Sequence, residues 1–381
     1  MLAGSSRVRP DCVCRAGAEV IRDTRDVGAA ARAGYDAILD VRAPSEFAED
    51  HLPGAINLPV LDDAERAEVG EEYVQRSKFL ARRRGAAMVA RNIARHLETA
   101  LADRDGSFRP LVYCWRGGQQ SGAMVTVMDQ VGWPVTRLDG GYQTWRRAVV
   151  TRLYEPAADA PPLRVVVLDG LTGVGKTEVL TRSGALGAQV LDLEGLAGHR
   201  GSVFGATEDG QPSQKLFDSR LAVALDALDP ARPILVEAES SRIGRVTVPP
   251  RLWASMKAAP RLTLTATTPM RIARLMSDYA DLAADVEALD ALLARMPRHH
   301  GKERRQAWRE MGAEGRVADL VESLLNEHYD PAYARSAPPR RAVGEVTLEG
   351  VTEAEAERAA ARVAETLARL EAGQDRGWAA E

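Results

Sequence analysis

The chain has 381 residues, 45% of them hydrophobic and 27% charged, with a formal net charge of −4. That length holds two domains of the usual roughly 100–200 residues, and the mixture of apolar and charged residues excludes a fibre and a disordered chain. No stretch approaches the roughly 20 apolar residues that span a bilayer, the start lacks the apolar core of a signal peptide, and a cytoplasmic location is expected.

The first ten to thirty residues mix Arg, Gly and Ala without periodicity and read as a loose tail. Cys12 and Cys14 lie there with no second Cys or His pair to complete a zinc site. With Cys114 they are the whole cysteine complement, too few for a disulfide framework, so any role for cysteine is chemical. Apolar runs at 37–41 and 111–113 predict buried parallel strands, the second ending at Cys114. Residues 76–101 carry helical spacing with many arginines on the polar side, and 122–130 predict another helix. Strand, loop and helix alternate, which defines an α/β layout.

Residues 155–162, EPAADAPP, have little to bury and mark a boundary. A second α/β unit then opens with the β-branched run 163–168, a glycine-rich loop and a helix from Lys176. Further strands are predicted at 189–193, 234–237 and 262–265, in a parallel sheet. The strand-like 344–348 and a Glu/Ala/Arg-rich helix over 352–372 read as a surface appendage. The expected division is 1–154, 155–340 and 341–381.

Two motifs carry chemistry. Gly170-Leu-Thr-Gly173-Val-Gly175-Lys176-Thr177 fits the P-loop pattern between a buried strand and a helix start. Its glycines let backbone N–H groups surround phosphate oxygens, the helix N-terminus favours negative charge, and Lys176 adds a point charge. Thr177 is placed to reach a magnesium ion. Glu237 and Glu239 end a predicted strand where P-loop enzymes carry a metal- or water-organising acid, or else simply face solvent. The loop after Asp192 sets His199, Arg200 and Ser202 among glycines, a clamp for a second anionic group. The other motif is Cys114-Trp115-Arg116-Gly117-Gly118-Gln119-Gln120-Ser121, again between strand and helix. Its backbone amides are expected to ring the thiol, lower its pKa and make it reactive.

Asp40-Val-Arg42-Ala-Pro-Ser-Glu46-Phe47, followed by His51-Leu-Pro53-Gly54-Ala-Ile-Asn57-Leu-Pro59, resembles the opening of rhodanese-like domains, which carry sulfur or selenium on one loop cysteine. A rhodanese-like domain fused to a P-loop domain in this order, with these loops and Tyr329-Asp330-Pro331-Ala332-Tyr333, resembles the tRNA 2-selenouridine synthase family. The resemblance implies a tRNA with 2-thiouridine at the wobble position as substrate. It implies alkylation of that sulfur by geranyl diphosphate, then exchange of S-geranyl for selenium from selenophosphate. Lys176 would serve the diphosphate and Cys114 the selenium step, with Asp40 and Arg42 in support, no tightly bound cofactor, and magnesium possible at Thr177. The family's cysteine loop is expected to hold arginine where this chain has Gln120, leaving Arg116 to supply the charge. For tRNA, the local basic patches are Arg82, Arg83, Arg84, Arg91 and Arg95, and Arg298, His299, His300, Lys302, Arg304, Arg305 and Arg309, with Trp308 as a stacking surface or a core residue. An ATP-dependent kinase fused to a sulfurtransferase domain is the alternative that the P-loop alone permits.

Overall fold

Short apolar runs that end in glycine-rich turns become the central strands of two parallel sheets. The computed structural model describes residues 21–156, 162–199, 210–336 and 341–373. Cys12, Cys14, Arg200 and Ser202 lie outside them. The described residues cluster into two compact units, one comprising those up to Phe47 with Gly54–Thr144, the other Ala48–Pro53 with those from Trp145 onward.

The first unit holds β1 (Arg22–Thr24), β2 (Ala37–Asp40), β3 (Ala55–Asn57), β4 (Pro110–Tyr113) and β5 (Thr136–Leu138), in the order β1-β5-β4-β2-β3 with every pair parallel. Leu39, Leu111 and Val112 are fully buried, as strands covered on both faces require. Ile93 from the helix Lys78–Glu98, and Met124, Val125 and Met128 from Gln119–Val131, pack on them. The expected tail is shorter than its composition suggests. Arg22–Thr24 pairs in register with Thr136–Leu138, and Ala29–Ala33 is helical. A polar edge strand of three residues has no periodicity to read; its partner strand fixes it.

The second unit holds β6 (Val165–Asp169), β7 (Gln189–Leu191), β8 (Ile234–Glu237), a small antiparallel hairpin of β9 (Arg242–Ile243) and β10 (Val246–Thr247), β11 (Arg261–Thr265) and β12 (Ala342–Thr347). Its sheet runs β12-β11-β6-β8-β7, all parallel. After β6 the chain fills one side of the sheet through β7 and β8, then crosses to β11. The loop after β6 therefore sits at the point where strand order reverses, the usual ligand crevice of such sheets. Between β11 and β12 come helices Thr268–Asp278, Ala280–Ala284, Val286–Ala294, Gly301–Ala313, Val317–Leu324 and Asp330–Ser336, with a π-helical turn Leu325–Tyr329.

Two expectations are corrected here. The strand and helix after residue 340 are no surface appendage: β12 pairs with β11 along five residues, and the helix Glu353–Glu371 buries Ala359, Ala360, Val363, Leu367 and Leu370 against Val166, Leu168 and Leu262. The packing boundary also falls inside the helix Tyr142–Tyr154, not after it. Trp145 Nε1 donates to Ser219 Oγ (3.0 Å), and Arg146 and Tyr154 both donate to the buried Asp218. No helix among the described residues is long and apolar enough to cross a membrane.

Candidate active sites

The Cys114 loop joins β4 to the helix Gln119–Val131, as expected. Cys114 is buried. Gly118 N–H donates to its Sγ (3.3 Å), and Ser121 Oγ lies 3.1 Å from it. Arg116 is exposed and Gln120 half-buried at the rim. Gly117 has φ +69, and a Cβ there would lie 2.9 Å from Gly140 N and from Leu138 O, so the turn accepts only glycine. The corner Asp139-Gly140-Gly141-Tyr142 closes over the loop, with Tyr142 N–H donating to Cys114 O (2.8 Å) and the Trp115 and Tyr142 rings 5.2 Å apart. The sequence reading missed this corner, although its Gly-Gly pair was a visible signal for close backbone approach.

Asp40 and Arg42 support this loop from beneath. Arg42 is 1% exposed, its Nη2 donates to Asp40 Oδ2 (2.6 Å), and its guanidinium lies 4.1 Å from the Tyr142 ring centre. Burial opposes the charge, and the Asp40 carboxylate more than offsets that, so the Arg42 pKa is raised. Asn57 Nδ2 donates to the carbonyls of both residues (3.0 and 2.9 Å), which ties β3 to the Asp40–Arg42 turn. Arg42 thus holds the aromatic wall of the thiol loop.

In the second unit Gly170–Thr177 leaves β6 and enters the helix Lys176–Ala185. Gly175 caps that helix at φ +90, and a Cβ there would meet Arg274 Cζ at 2.9 Å. Lys176 Nζ donates to Gly170 O (2.8 Å). Around it the fold gathers Glu194, Glu237 and Glu239. Thr177 Oγ1 donates to Glu194 Oε2 (3.1 Å), and Glu194 N–H donates to Glu237 Oε1 (2.8 Å). Desolvation lowers the Lys176 pKa, with Glu239, Glu194, Asp169 and Glu237 opposing it. Burial pushes Glu237 well above the carboxylate range, and its Oε2 has no hydrogen-bond partner among the described residues. His199 stands half-buried at the edge, its pKa lowered by burial and raised in part by Glu194. Thr177, Glu194 and Glu239 form the oxygen-rich donor set that Mg²⁺ favours, so a magnesium ion held there would neutralise the carboxylates and screen a bound diphosphate. Glu194 was not singled out from the sequence; its position in the first turn of the short helix Leu193–Ala197 after β7 gave no spacing signal toward Thr177.

Glu239 gives this site a pH dependence. Burial first, then repulsion and a hydrogen bond from Glu194, push its pKa up to about 8, against the attraction of Lys176. Below that pH it is neutral beside the phosphate loop, and above it a negative charge faces any anionic ligand. An acid whose folded pKa is raised is also less stable in the fold as pH climbs from its unfolded value through 8, because the unfolded chain releases the proton first. Metal-free pyrophosphate binding should therefore weaken severalfold between pH 7 and pH 9, and Glu239→Gln should flatten that slope. Calorimetric titration across this range checks it; identical slopes in both proteins contradict it.

Two arginines from the helix Thr268–Asp278 lock the loop from behind. Arg271, 2% exposed, donates from Nε to Thr172 O (2.7 Å) and from both Nη atoms to Asp330 (2.9 and 2.6 Å). Arg274 pairs with Glu178 (2.7 Å). Asp330 of the Tyr-Asp-Pro-Ala-Tyr segment is thereby fastened to the P-loop. Beside this clamp an apolar cavity opens among the helices, lined by Thr172 of the P-loop with Leu275, Tyr279, Leu282, Val321 and Tyr329.

Of the basic patches, Arg82, Arg83, Arg84, Arg91 and Arg95 are exposed on the helix Lys78–Glu98, with Arg84 paired to Glu68. Arg298, Lys302 and Arg304 are exposed in the second unit, where Arg304 pairs with Glu327 (2.8 Å) and Arg309 grips Asp290 (2.5 and 2.7 Å). Trp308 offers no stacking surface: it is fully buried with Leu289, Leu293 and Leu324, and its Nε1 donates to Ser323 Oγ (2.8 Å).

A cysteine at a strand-to-helix turn in one unit and a lysine-bearing glycine loop in the other place the chain among two-unit α/β proteins that join a loop cysteine to a P-loop. The rhodanese-like domain family matches residues 24–148, and the tRNA 2-selenouridine synthase AAA domain matches 163–364. The tRNA 2-selenouridine synthase of Cupriavidus pinatubonensis is 36% identical over 342 residues, covering 80% of this chain and 90% of the relative. That of Cupriavidus necator is 38% identical over 340 residues (80% and 89%), and that of Pseudomonas syringae pv. syringae 34% over 331 (78% and 87%). The chain belongs to the tRNA 2-selenouridine synthase family.

Proposed function

We propose that this protein replaces sulfur by selenium at C2 of a wobble 2-thiouridine in tRNA, in two steps served by its two units. In the first, the thiouridine sulfur attacks C1 of geranyl diphosphate and diphosphate departs, its developing charge met by the P-loop amides and Lys176. In the second, the selenium of selenophosphate attacks C2 and geranyl thiol leaves; water then cleaves the Se–P bond, releasing phosphate and 2-selenouridine, with Cys114 serving the selenium nucleophile. Alkylation makes chemical sense because a thioether leaves C2 more readily than an anionic sulfur. The exposed arginines of Lys78–Glu98 on the first unit, and Arg298 and Lys302 on the second, are separate basic patches available to tRNA. The reading assigns the protein to the cytoplasm, where tRNA is modified.

The apolar cavity at Thr172 carries the geranyl assignment. A nucleotide base and ribose need polar partners beside a P-loop, whereas leucine, valine and tyrosine side chains suit a hydrocarbon tail. Each buried methylene contributes about 0.8 kcal/mol, so burying even a few of them should tighten geranyl diphosphate over inorganic pyrophosphate by roughly a hundredfold. Val321→Asp should erase that advantage and leave pyrophosphate affinity unchanged. Competition titrations of the two ligands check it; equal affinity of wild type for both would sink the geranyl reading.

A further inference from the structure

The histidines of the second unit's helical bundle have no part in this chemistry. His299 and His300 lie in the 3-10 turn Arg298–His300, and His328 in the π-helical turn Leu325–Tyr329. One ring nitrogen from each of the three lies within 4.8 Å of the others, and His300 Nε2 is 2.8 Å from His328 Nδ1. Among the described residues no other group of three or more His, Cys, Asp or Glu side chains converges in this way.

We propose that His299, His300 and His328 form a binding site for a divalent transition metal, with Zn²⁺ the ion best matched to three imidazole donors. Tetrahedral zinc with Zn–N bonds of about 2.0–2.1 Å spaces its ligand atoms roughly 3.4 Å apart, between the shortest and widest separations here, so small ring rotations complete the site. Oxygen-seeking Mg²⁺ and Ca²⁺ are excluded by the ligand type. The walls are already built. The Trp308 ring stands edge-on to His300 at 4.9 Å and the Tyr329 ring to His328 at 4.8 Å, and Trp308 is itself fixed by Ser323. His328 is buried, with its Nδ1 turned toward His300 Nε2 rather than toward solvent. Arg305 and Arg335 lie near enough to oppose a cation, and Glu327 favours one. His299 is exposed, which leaves the fourth position to water or an incoming ligand.

The site's place in the fold gives it a purpose. His328 immediately precedes Tyr329, which lines the apolar cavity, and Asp330, which holds Arg271 against Thr172. A metal tying the turn Arg298–His300 to the turn Leu325–Tyr329 would stiffen the element that carries both. The metal assignment itself rests on the histidine geometry, independently of the reaction proposed above.

The test uses the full-length protein after removal of metals with a chelator. Zn²⁺ titrated against a chromophoric chelator should show a site of about micromolar affinity or tighter, and Co²⁺ should give a tetrahedral visible spectrum without the thiolate charge-transfer absorption that cysteine ligation would produce. His299→Ala removes an exposed ring and should leave the fold intact while weakening this site at least about tenfold. His328→Gln should do the same, and Zn²⁺ should raise the melting temperature of wild type alone. Wild type binding no tighter than about 100 μM, a cobalt spectrum dominated by thiolate, or a His299→Ala protein that binds as wild type overturns the proposal.

Discussion

Lys176→Ala should lose geranyl transfer by about 10²–10³-fold at saturating geranyl diphosphate while retaining most of its affinity for the donor. The backbone amides of Gly170–Thr177 and the helix N-terminus survive the substitution and continue to hold diphosphate. What disappears is the mobile charge, held at 2.8 Å from Gly170 O and close to Glu194, Glu237 and Glu239. That charge has most to do when negative charge grows on the departing oxygens, so the loss belongs to the chemical step. Single-turnover assays with thiolated tRNA separate the two. An undiminished rate at saturation would contradict a role for Lys176 in the transition state, and a loss confined to affinity would reassign it to ground-state binding.

Cys114→Ala should divide the reaction, accumulating S-geranyl-2-thiouridine while 2-selenouridine formation falls by about 10³-fold or more. Cys114 and Lys176 belong to different units, each with its own strand-to-helix anion loop. A thiolate has no evident task in displacing diphosphate from an allylic carbon. The structural cost should be about 1 kcal/mol: Sγ hydrogen-bonds with Ser121 and Gly118 and the small side chain belongs to the core cluster of Val112 and Met124, while the loop is also held by Tyr142 and Gly117. Nucleosides from digested tRNA, weighed by mass spectrometry, report both products. A folded mutant that fails to geranylate, or one that selenates at the normal rate, would show that the units do not divide the work in this way.

Both glycine-rich loops were legible in the sequence because each is local: an apolar run, a glycine-rich turn and a helix start within about a dozen residues. The family resemblance added what spacing could not, namely an expectation of the substrates and of the order of steps. Long-range partners were not legible. Nothing near Arg271 indicates that it fastens Thr172 to Asp330, which is 59 residues away in sequence. Glu194 meets Thr177 only because β7 and β6 flank the same strand, β8. The C-terminal helix was misjudged on its many charged residues, although Ala356, Ala359, Ala360, Val363, Leu367 and Leu370 repeat at the spacing of a buried face. For Trp308 the core reading, favoured over a stacking platform from the sequence, is the one its burial supports.

The most direct test of the account supplies wild-type protein with 2-thiouridine tRNA and each donor separately, then analyses the nucleosides. Geranyl diphosphate alone should yield S-geranyl-2-thiouridine, both donors together should yield 2-selenouridine, and selenophosphate alone should leave 2-thiouridine unchanged, with ATP having no effect in any case. Selenation without the prenyl donor, or a requirement for ATP hydrolysis, would contradict it.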